Sequence, residues 1–402
     1  MIRLHEFVGR NNQTSSFLIA FVLAVSSLAG CEHISDKNNP KMPEPSHDKK
    51  SEPNTGVNAK PGSGSVNILA WVGYDERDFL EKLESRTGVR VNVKTYVGGD
   101  RMYSLFKSAP AGTYDLVVVD REYGSRLFAE KALCPIDPNQ VRKADLLEPF
   151  ASTSVAVAAD TIYAVPVRWG ALGLVYNSRH IPAEDVSSYG VLFDKRFAKR
   201  VGIFDWYLPT MGVLARYASN KNAWSNESSF NLTRQQLDAL TAMLKTLRPQ
   251  VRSVQPSTGD VIASLRSGAV WVAPGVGEWA AASLQEEGIP VEWCVPSEGG
   301  VMWIEALAVT PNGTERPEAQ KVFDAFQDPE VLASLMWRKA YVSQSPSRKA
   351  YSYLSDSQRH MLKAEDLNSL EAMATQLEIR CLPGPLTGPD EWQAAWQCFK
   401  AQ

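Results

Sequence analysis

Runs of apolar residues alternate with helical patterns from Val66 onward, and their order predicts the fold class. Val66–Trp71 is typical of a strand, and Phe79–Leu83 then places apolar residues on one face of a helix. Val89–Tyr96 alternates as a half-buried strand does, Met102–Phe106 predicts a second helix, and Tyr114–Val119 is continuous, as in a strand buried on both faces. This order predicts an α/β fold with a mainly parallel, doubly wound sheet.

The ends of these strands are the predicted place for a ligand, because ligands of such sheets bind outside the carboxyl ends of the strands. Three segments occupy those ends: Trp71–Tyr74, Val97–Asp100 and Asp120–Tyr123. Asp75 and Asp100 precede the two helical patterns, and we expect their side chains to cap those helices.

A second block of alternating patterns runs from about Leu172 to Trp303. Its clearest helix begins with Thr233 and Gln236 at capping-box spacing and ends before Pro249. The other strands and helices predicted from there to the C-terminus are Leu172–Tyr176, Val201–Phe204, Ala269–Ala273, Leu307–Thr310, Glu318–Phe326, Glu330–Lys339 and Glu391–Lys400.

The N-terminal segment has the features of a targeting sequence. Arg3 and Arg10 precede an apolar stretch, Phe17–Leu28, which is short for a membrane span of about 20 residues. It ends in Leu28-Ala29-Gly30-Cys31, which resembles the lipobox of bacterial lipoproteins and implies cleavage before Cys31 and acylation of that cysteine. The alternative is an uncleaved anchor with a chance cysteine.

Residues 31–65 are rich in Lys, Asn, Pro, Ser and Gly, which predicts a flexible tether.

Charge and cysteine use narrow the class of protein. A formal net charge of −3 gives no basic field for nucleic acid, and 402 residues suit two lobes better than one compact domain.

Apart from Cys31 there are four cysteines, which permits two disulfides in an oxidising compartment, and Cys381–Cys398 would close a short loop. The alternative is four buried free thiols: Cys134, Cys294, Cys381 and Cys398.

No catalytic or metal-binding pattern occurs in the sequence. The five histidines are scattered, and His5, His33 and His47 fall in the targeting segment or tether. Gly62–Ser65 lies in the tether, where no rigid nucleophile elbow could form. We therefore expect no enzyme activity, no cofactor and no metal.

Several segments, spread over residues 66–402, resemble the spermidine/putrescine-binding proteins of bacterial ABC importers. Their order and spacing carry the resemblance more than any one of them does. They are Ile68–Tyr74, Thr95-Tyr96 with Met102-Tyr103, Tyr114–Val118, Tyr163–Pro166 with Trp169–Ala171, Gly299–Glu305, Ser345-Pro346 and Glu391–Gln393.

The resemblance implies a two-lobed type II periplasmic-binding-protein fold. Each lobe would be a mainly parallel sheet flanked by helices, and a hinge would let the lobes close on a ligand. The expected organisation is a signal peptide at 1–30, a tether at 31–65, a first lobe at 66–171 plus 304–348, and a second lobe with the C-terminal helices at 172–303 plus 349–402.

The resemblance also implies which residues contact the ligand. An amine needs aromatic faces and a carboxylate that pairs with its desolvated charge. Tyr207 and Thr210 occupy the places where the family carries two acidic residues. The predicted ligand-binding residues are Trp71, Tyr74, Asp120, Tyr123, Tyr207, Trp303, Glu305 and Gln393.

Simpler explanations exist for most of these residues. Trp71 and Trp303 could be core aromatics, Glu305 could form a salt bridge with a surface arginine, and Asp120 could cap the next helix. Arg168 could meet an anionic group of the ligand, or it could form a structural ion pair.

The resulting functional hypothesis is a lipid-anchored, monomeric solute-binding protein on the periplasmic side of a membrane. It would capture a small cationic, polyamine-like amine and deliver it to an ABC permease. The alternative hypothesis is a ligand-sensing lipoprotein that reports to a membrane signalling receptor, since the fold and tether would serve either role.

Overall fold

A computed structural model describes residues 64–151, 157–158 and 161–401. The predicted signal peptide, the lipidation site Cys31 and the tether up to Ser63 lie outside the described residues. Within the described part of the chain, no helix has both the length and the apolar character needed to cross a membrane.

The described residues form an α/β structure, as predicted. The strands are β1 (Ser65–Trp71), β2 (Arg90–Tyr96), β3 (Leu116–Asp120), β4 (Val157–Ala158), β5 (Thr161–Ile162), β6 (Val165–Asn177), β7 (Val201–Phe204), β8 (Val251–Gln255), β9 (Val272–Gly277), β10 (Val291–Cys294), β11 (Val301–Val309) and β12 (Glu378–Ile379). The helices are α1 (Arg77–Thr87), α2 (Gly99–Ser108), α3 (Arg121–Ala129), α4 (Glu148–Ala151), α5 (Tyr207–Asn222), α6 (Arg234–Leu247), α7 (Thr258–Arg266), α8 (Glu278–Glu286), α9 (Pro311–Thr314), α10 (Pro317–Phe326), α11 (Pro329–Met336), α12 (Asp356–Met361), α13 (Leu367–Gln376) and α14 (Pro389–Lys400).

The N-terminal strands have the predicted parallel order. β1 pairs in parallel with β2 on one side and with β3 on the other, and β11 adds to β3 in the antiparallel direction. All five residues of β3 are buried, which agrees with its continuous apolar sequence. The carboxyl ends of β1, β2 and β3 therefore lie at one edge, where α2 and α3 begin.

Two long strands, β6 and β11, continue from this group of strands into a second group. In that group β7 pairs in parallel with β8 and β9, while β6 runs antiparallel to both β9 and β10. Every residue of β6 and of β11 is buried. Residues 165–172 of β6 pair with residues 301–307 of β11, so the two strands together form a continuous connection between the two groups.

Some predicted boundaries were wrong. The side chains of Asp75 and Asp100 do not cap α1 and α2, which have Glu76 and Gly98 at their N-cap positions and no capping hydrogen bond. Asp75 instead accepts a hydrogen bond from the backbone N–H of Gly73. By contrast, the Thr233–Gln236 capping box is formed as predicted. The strand expected at Ala269–Ala273 begins later, at Val272.

No disulfide joins the cysteines of the described residues, which favours the alternative of thiols over a Cys381–Cys398 bond. Cys134, Cys294 and Cys381 are partly buried, whereas Cys398 is exposed on α14. Burial raises the pKa of Cys294 to about 12 and that of Cys381 to about 11, so both are protonated at neutral pH.

A glycine at the end of β9 allows the close approach of β6. A Cβ atom at Gly277 would lie 1.8 Å from the carbonyl oxygen of Ala171, whereas one at Gly259 in α7 would make only an ordinary contact with the Ser257 hydroxyl, at 3.7 Å. We expect Gly277→Ala to lower the free energy of unfolding by about 2 kcal/mol or more, because the two backbones must separate. Gly259→Ala, the control, should raise it by about 0.5–1 kcal/mol through helix propensity. Urea unfolding followed by tryptophan fluorescence measures both, and equal stability of the two variants would contradict this account.

Candidate functional site

A cavity of about 470 Å³, here called the central cavity, lies where the two groups of strands face each other. Loops after β1, β2 and β3 form one wall, and β7, β9 and the starts of α7 and α8 form the opposite wall. Its lining includes Trp71, Asp100, Arg101, Asp120, Tyr123, Phe204, Asp205, Trp206, Thr258, Trp279, Trp303, Glu305, Tyr341 and Arg380.

Five of the eight residues predicted to bind a ligand line this cavity. They are contributed by widely separated parts of the chain, at the carboxyl ends of β1 and β3, in α3 and in β11. These residues are Trp71, Asp120, Tyr123, Trp303 and Glu305.

The other three predicted residues are not part of the lining. Tyr74 is fully buried behind it and donates a hydrogen bond from its hydroxyl to Glu305 (2.7 Å). Tyr207 is the first residue of α5, and the neighbouring Trp206 lines the cavity in its place. Gln393 is exposed on α14, whose inner face is formed by Trp392 and Trp396, so it does not line the central cavity and the structure gives its predicted ligand contact no support.

Trp71 and Trp303 are wall residues with different surroundings. The Trp71 indole N–H donates to Asp120 Oδ1 (2.9 Å), and its ring lies 5.2 Å from the ring of Tyr96. The Trp303 ring covers Gly170 of β6, where a Cβ atom would lie 2.4 Å from the indole nitrogen. Tyr341 lies between them, with its ring centroid 6.4 Å from Trp71 and 6.0 Å from Trp303. Together the three rings form an aromatic wall beside Asp120.

Glu305 is buried and its carboxylate is held by two tyrosines. Tyr74 donates to Oε2 (2.7 Å) and Tyr341 donates to Oε1 (2.5 Å). Burial raises the pKa of Glu305, although Arg168 and the two hydroxyls lower it. The alternative of a salt bridge to a surface arginine was therefore wrong, because Glu305 is 2% exposed and makes its hydrogen bonds inside the protein.

Arg168 is a structural cation behind the wall. It is fully buried, and it donates to the Ser343 hydroxyl (2.8 Å) and to the Tyr341 carbonyl (2.8 Å). Its guanidinium lies 3.9 Å from the centre of the Tyr341 ring. Arg168 itself is the register partner of Glu305 on the neighbouring strand β11. Since Arg168 does not line the central cavity, the structure gives no support to its contact with an anionic ligand group.

A cluster of three charged residues was missed by the sequence analysis. Arg380, which follows β12, is 3% exposed and donates from Nε to Glu122 Oε1 (2.7 Å), while its Nη2 lies 3.7 Å from Asp120 Oδ1. The guanidinium also lies 4.6 Å from the Trp206 ring centre. No sequence signal distinguishes Arg380, because it follows a two-residue strand far from the other site residues.

Asp120 is the most perturbed acid of this cluster. It occupies the N-cap position of α3 but makes no capping hydrogen bond, so the alternative of a helix cap was wrong. Burial raises its pKa well above the usual value, and the Glu122 and Glu305 carboxylates raise it further, while Arg380 lowers it. Its second oxygen, Oδ2, has no hydrogen-bond partner among the described residues.

The opposite wall is aromatic and contains a neutralised carboxylate. Phe204, Trp206 and Trp279 contribute ring surface to the cavity. Asp205 accepts a hydrogen bond from the Trp396 indole (2.8 Å) and an ion pair from Lys400 (2.9 Å). Buried carboxylates on one side and aromatic rings on both sides are the groups that bind an organic cation.

Comparison with known proteins found a matching family model, related sequences and structures with the same fold. A family model described as bacterial extracellular solute-binding protein matches residues 78–359. The spermidine/putrescine-binding periplasmic protein of Salmonella typhimurium is 25% identical over 264 residues, which is 65% of this chain and 72% of the relative.

Two solved structures share the fold. One is the spermidine/putrescine ABC transporter substrate-binding protein PotD of Streptococcus pneumoniae, in complex with calcium and HEPES, with a TM-score of 0.68 and 17% identity over 84% of this chain and 99% of that one. The other is the Tp0655 lipoprotein of Treponema pallidum, with a TM-score of 0.65 and 17% identity over 84% and 100%. These likenesses confirm the predicted two-lobed type II fold, while the lobe boundaries given above stay a prediction.

The charged cluster should contribute to stability as a unit. Arg380→Met leaves the Glu122 carboxylate buried without its cation, so we expect a loss of about 3–5 kcal/mol in the free energy of unfolding. The double variant Arg380→Met/Glu122→Gln removes both charges and should recover most of that loss. Urea unfolding of the three proteins measures the effect, and a single variant as stable as the wild type would refute the role given to Arg380.

Proposed function

The chain belongs to the family of bacterial extracellular solute-binding proteins, and on this premise we propose that it captures a small cationic amine and delivers it to an ABC importer. It is a binding protein and not an enzyme. The observation that carries the proposal is the central cavity, where the buried carboxylates of Asp120 and Glu305 lie beside the rings of Trp71, Trp303 and Tyr341.

The choice of an amine follows from charge. A cation that enters the cavity can lie against aromatic faces, and each such contact contributes about 0.5–2 kcal/mol. It can also offset the cost of burying the carboxylate of Asp120, whose nearest cation, Arg380, lies 3.7 Å away. The Salmonella relative is by name a spermidine/putrescine-binding protein. That name supports an amine ligand for this chain, and the substrate-binding role of the pneumococcal neighbour supports import over sensing.

The lipid anchor is part of the same proposal. The sequence Leu28-Ala29-Gly30-Cys31 supports acylation of Cys31, and the neighbour from Treponema pallidum is by its title a lipoprotein. Lipid chains contribute about 0.8 kcal/mol per buried CH₂ group, so several chains would hold the protein at the membrane surface. A tether of residues 31–65 would then let the binding lobes reach a permease.

A ligand screen by thermal shift tests this function. We expect at least one amine in a panel of polyamines, monoamines, betaines and guanidino compounds to stabilise the protein, by about 2.7 kcal/mol at 100 times its Kd. Trp303→Ala should weaken binding of that amine at least tenfold, since it removes a wall of the cavity. Tyr353→Ala is the control, because Tyr353 is 57% exposed and does not line the cavity. Stabilisation by none of these amines would contradict the proposal.

A further inference from the structure

A buried ion pair joins the two groups of strands beside the central cavity. Arg380 donates from Nε to Glu122 Oε1 at 2.7 Å, and the two side chains are 4% and 0% exposed. The parts of the fold that hold the two partners decide what this pair does.

Glu122 is held by the first group of strands, β1 to β3. It lies in α3, which directly follows the end of β3. This helix packs closely on Tyr163, because a Cβ atom at Gly124 would lie 2.7 Å from that ring. Tyr123 and Leu127, also in α3, are buried in one apolar cluster with residues of β1 and β3. The helix is therefore part of the first group.

Arg380 is held by the second group of strands. It directly follows β12, whose first residue is Glu378. The carboxylate of Glu378 accepts hydrogen bonds from Arg216 of α5 (3.0 Å) and from the backbone N–H of Ser229 (2.8 Å). Cys381, the residue after Arg380, packs against the apolar cluster that contains the buried faces of α5 and α6. These contacts tie the segment around Arg380 to the helix that follows β7.

The guanidinium of Arg380 thus lies between the two groups. It is 4.6 Å from the ring centre of Trp206, which precedes α5 in the second group. On the side of the first group it donates to Glu122, and its Nη2 lies 3.7 Å from Asp120 Oδ1, at the end of β3. Since Trp206, Asp120 and Arg380 all line the central cavity, the two groups are linked at the cavity itself.

A change in the relative position of the two groups would break one side of this link. Two-lobed binding proteins open and close about a hinge. Because the segment around Arg380 is held by the second group, opening would separate Arg380 from Glu122 and leave its contact with Trp206 in place. A carboxylate that stays buried without its cation is strongly unfavourable, whereas water can solvate Glu122 once the lobes are apart.

We propose that the ion pair of Arg380 with Glu122 is a latch between the lobes, which forms when they close around the central cavity and breaks when they open. Arg380 is then a positioning residue that favours the closed arrangement without having to touch the ligand. The apparent affinity of a ligand falls with the fraction of protein in the binding-competent state, so the latch sets how readily the cavity binds. This role goes beyond the proposed function, because it does not depend on the chemistry of the ligand.

Small-angle X-ray scattering of the ligand-free protein tests the latch. Arg380→Met leaves Glu122 without its cation whenever the lobes close, so we expect a larger radius of gyration than in the wild type. Arg380→Met/Glu122→Gln contains neither charge, and its radius should return towards the wild-type value. Equal radii for the wild type and a folded Arg380→Met would overturn the latch and leave the proposed amine-binding function in place.

A second buried ion pair separates the latch from a general loss of stability. Arg316 donates from Nη1 to both carboxylate oxygens of Asp115 (2.8 Å each) and from Nη2 to the Ser65 carbonyl (2.7 Å), all within the first group. Arg316→Met, the control, should lower the melting temperature and leave the radius of gyration unchanged. If it expands the protein as much as Arg380→Met does, lost stability explains the expansion and the latch is refuted. Thermal melting curves check that each variant is folded at the temperature of the scattering measurement.

Discussion

Asp120 and Glu305 are register partners on the neighbouring strands β3 and β11, so two carboxyl groups are buried side by side in the wall of the central cavity. Two such charges repel each other and have lost most of their hydration, which makes the arrangement unfavourable without donors and cations around it. The side chains around the two carboxyl groups supply these hydrogen-bond donors and cations. Tyr74 and Tyr341 donate to Glu305, and Trp71 donates to Asp120.

The cations that balance these acids come from different parts of the fold. Arg168 lies on β6, the long strand that continues into the second group of strands, and Arg380 reaches Asp120 and Glu122 from the segment after β12. The second of these interactions joins residues 258 positions apart in the sequence, between Glu122 and Arg380. The proposed ligand would bring a further cation to this acidic wall of the cavity.

The sequence predicted residues at the ends of β1 and β3 better than residues whose position depends on which face of a helix packs inward or on contacts between distant parts of the chain. The alternation of strands and helices predicted Trp71 and Asp120 at strand ends, and both line the central cavity, whereas Glu305, in the middle of β11, came from the family resemblance. Gln393 lies away from the cavity because its position depends on which face of α14 packs inward, and Trp392 and Trp396 take that face. Arg380 could not be predicted, since its path to Asp120 is set by tertiary packing and not by any local pattern.

The most direct test of this account is the pKa of Asp120, measured by carbon-13 NMR of the side-chain carboxyl with Asp120→Asn for assignment. The account predicts a pKa well above the usual value of about 3.9 in the ligand-free protein and a marked decrease when an amine binds, because an ammonium group stabilises the carboxylate. An ordinary pKa that does not change on binding would contradict the claim that the cavity is built around a buried carboxylate in need of a cation.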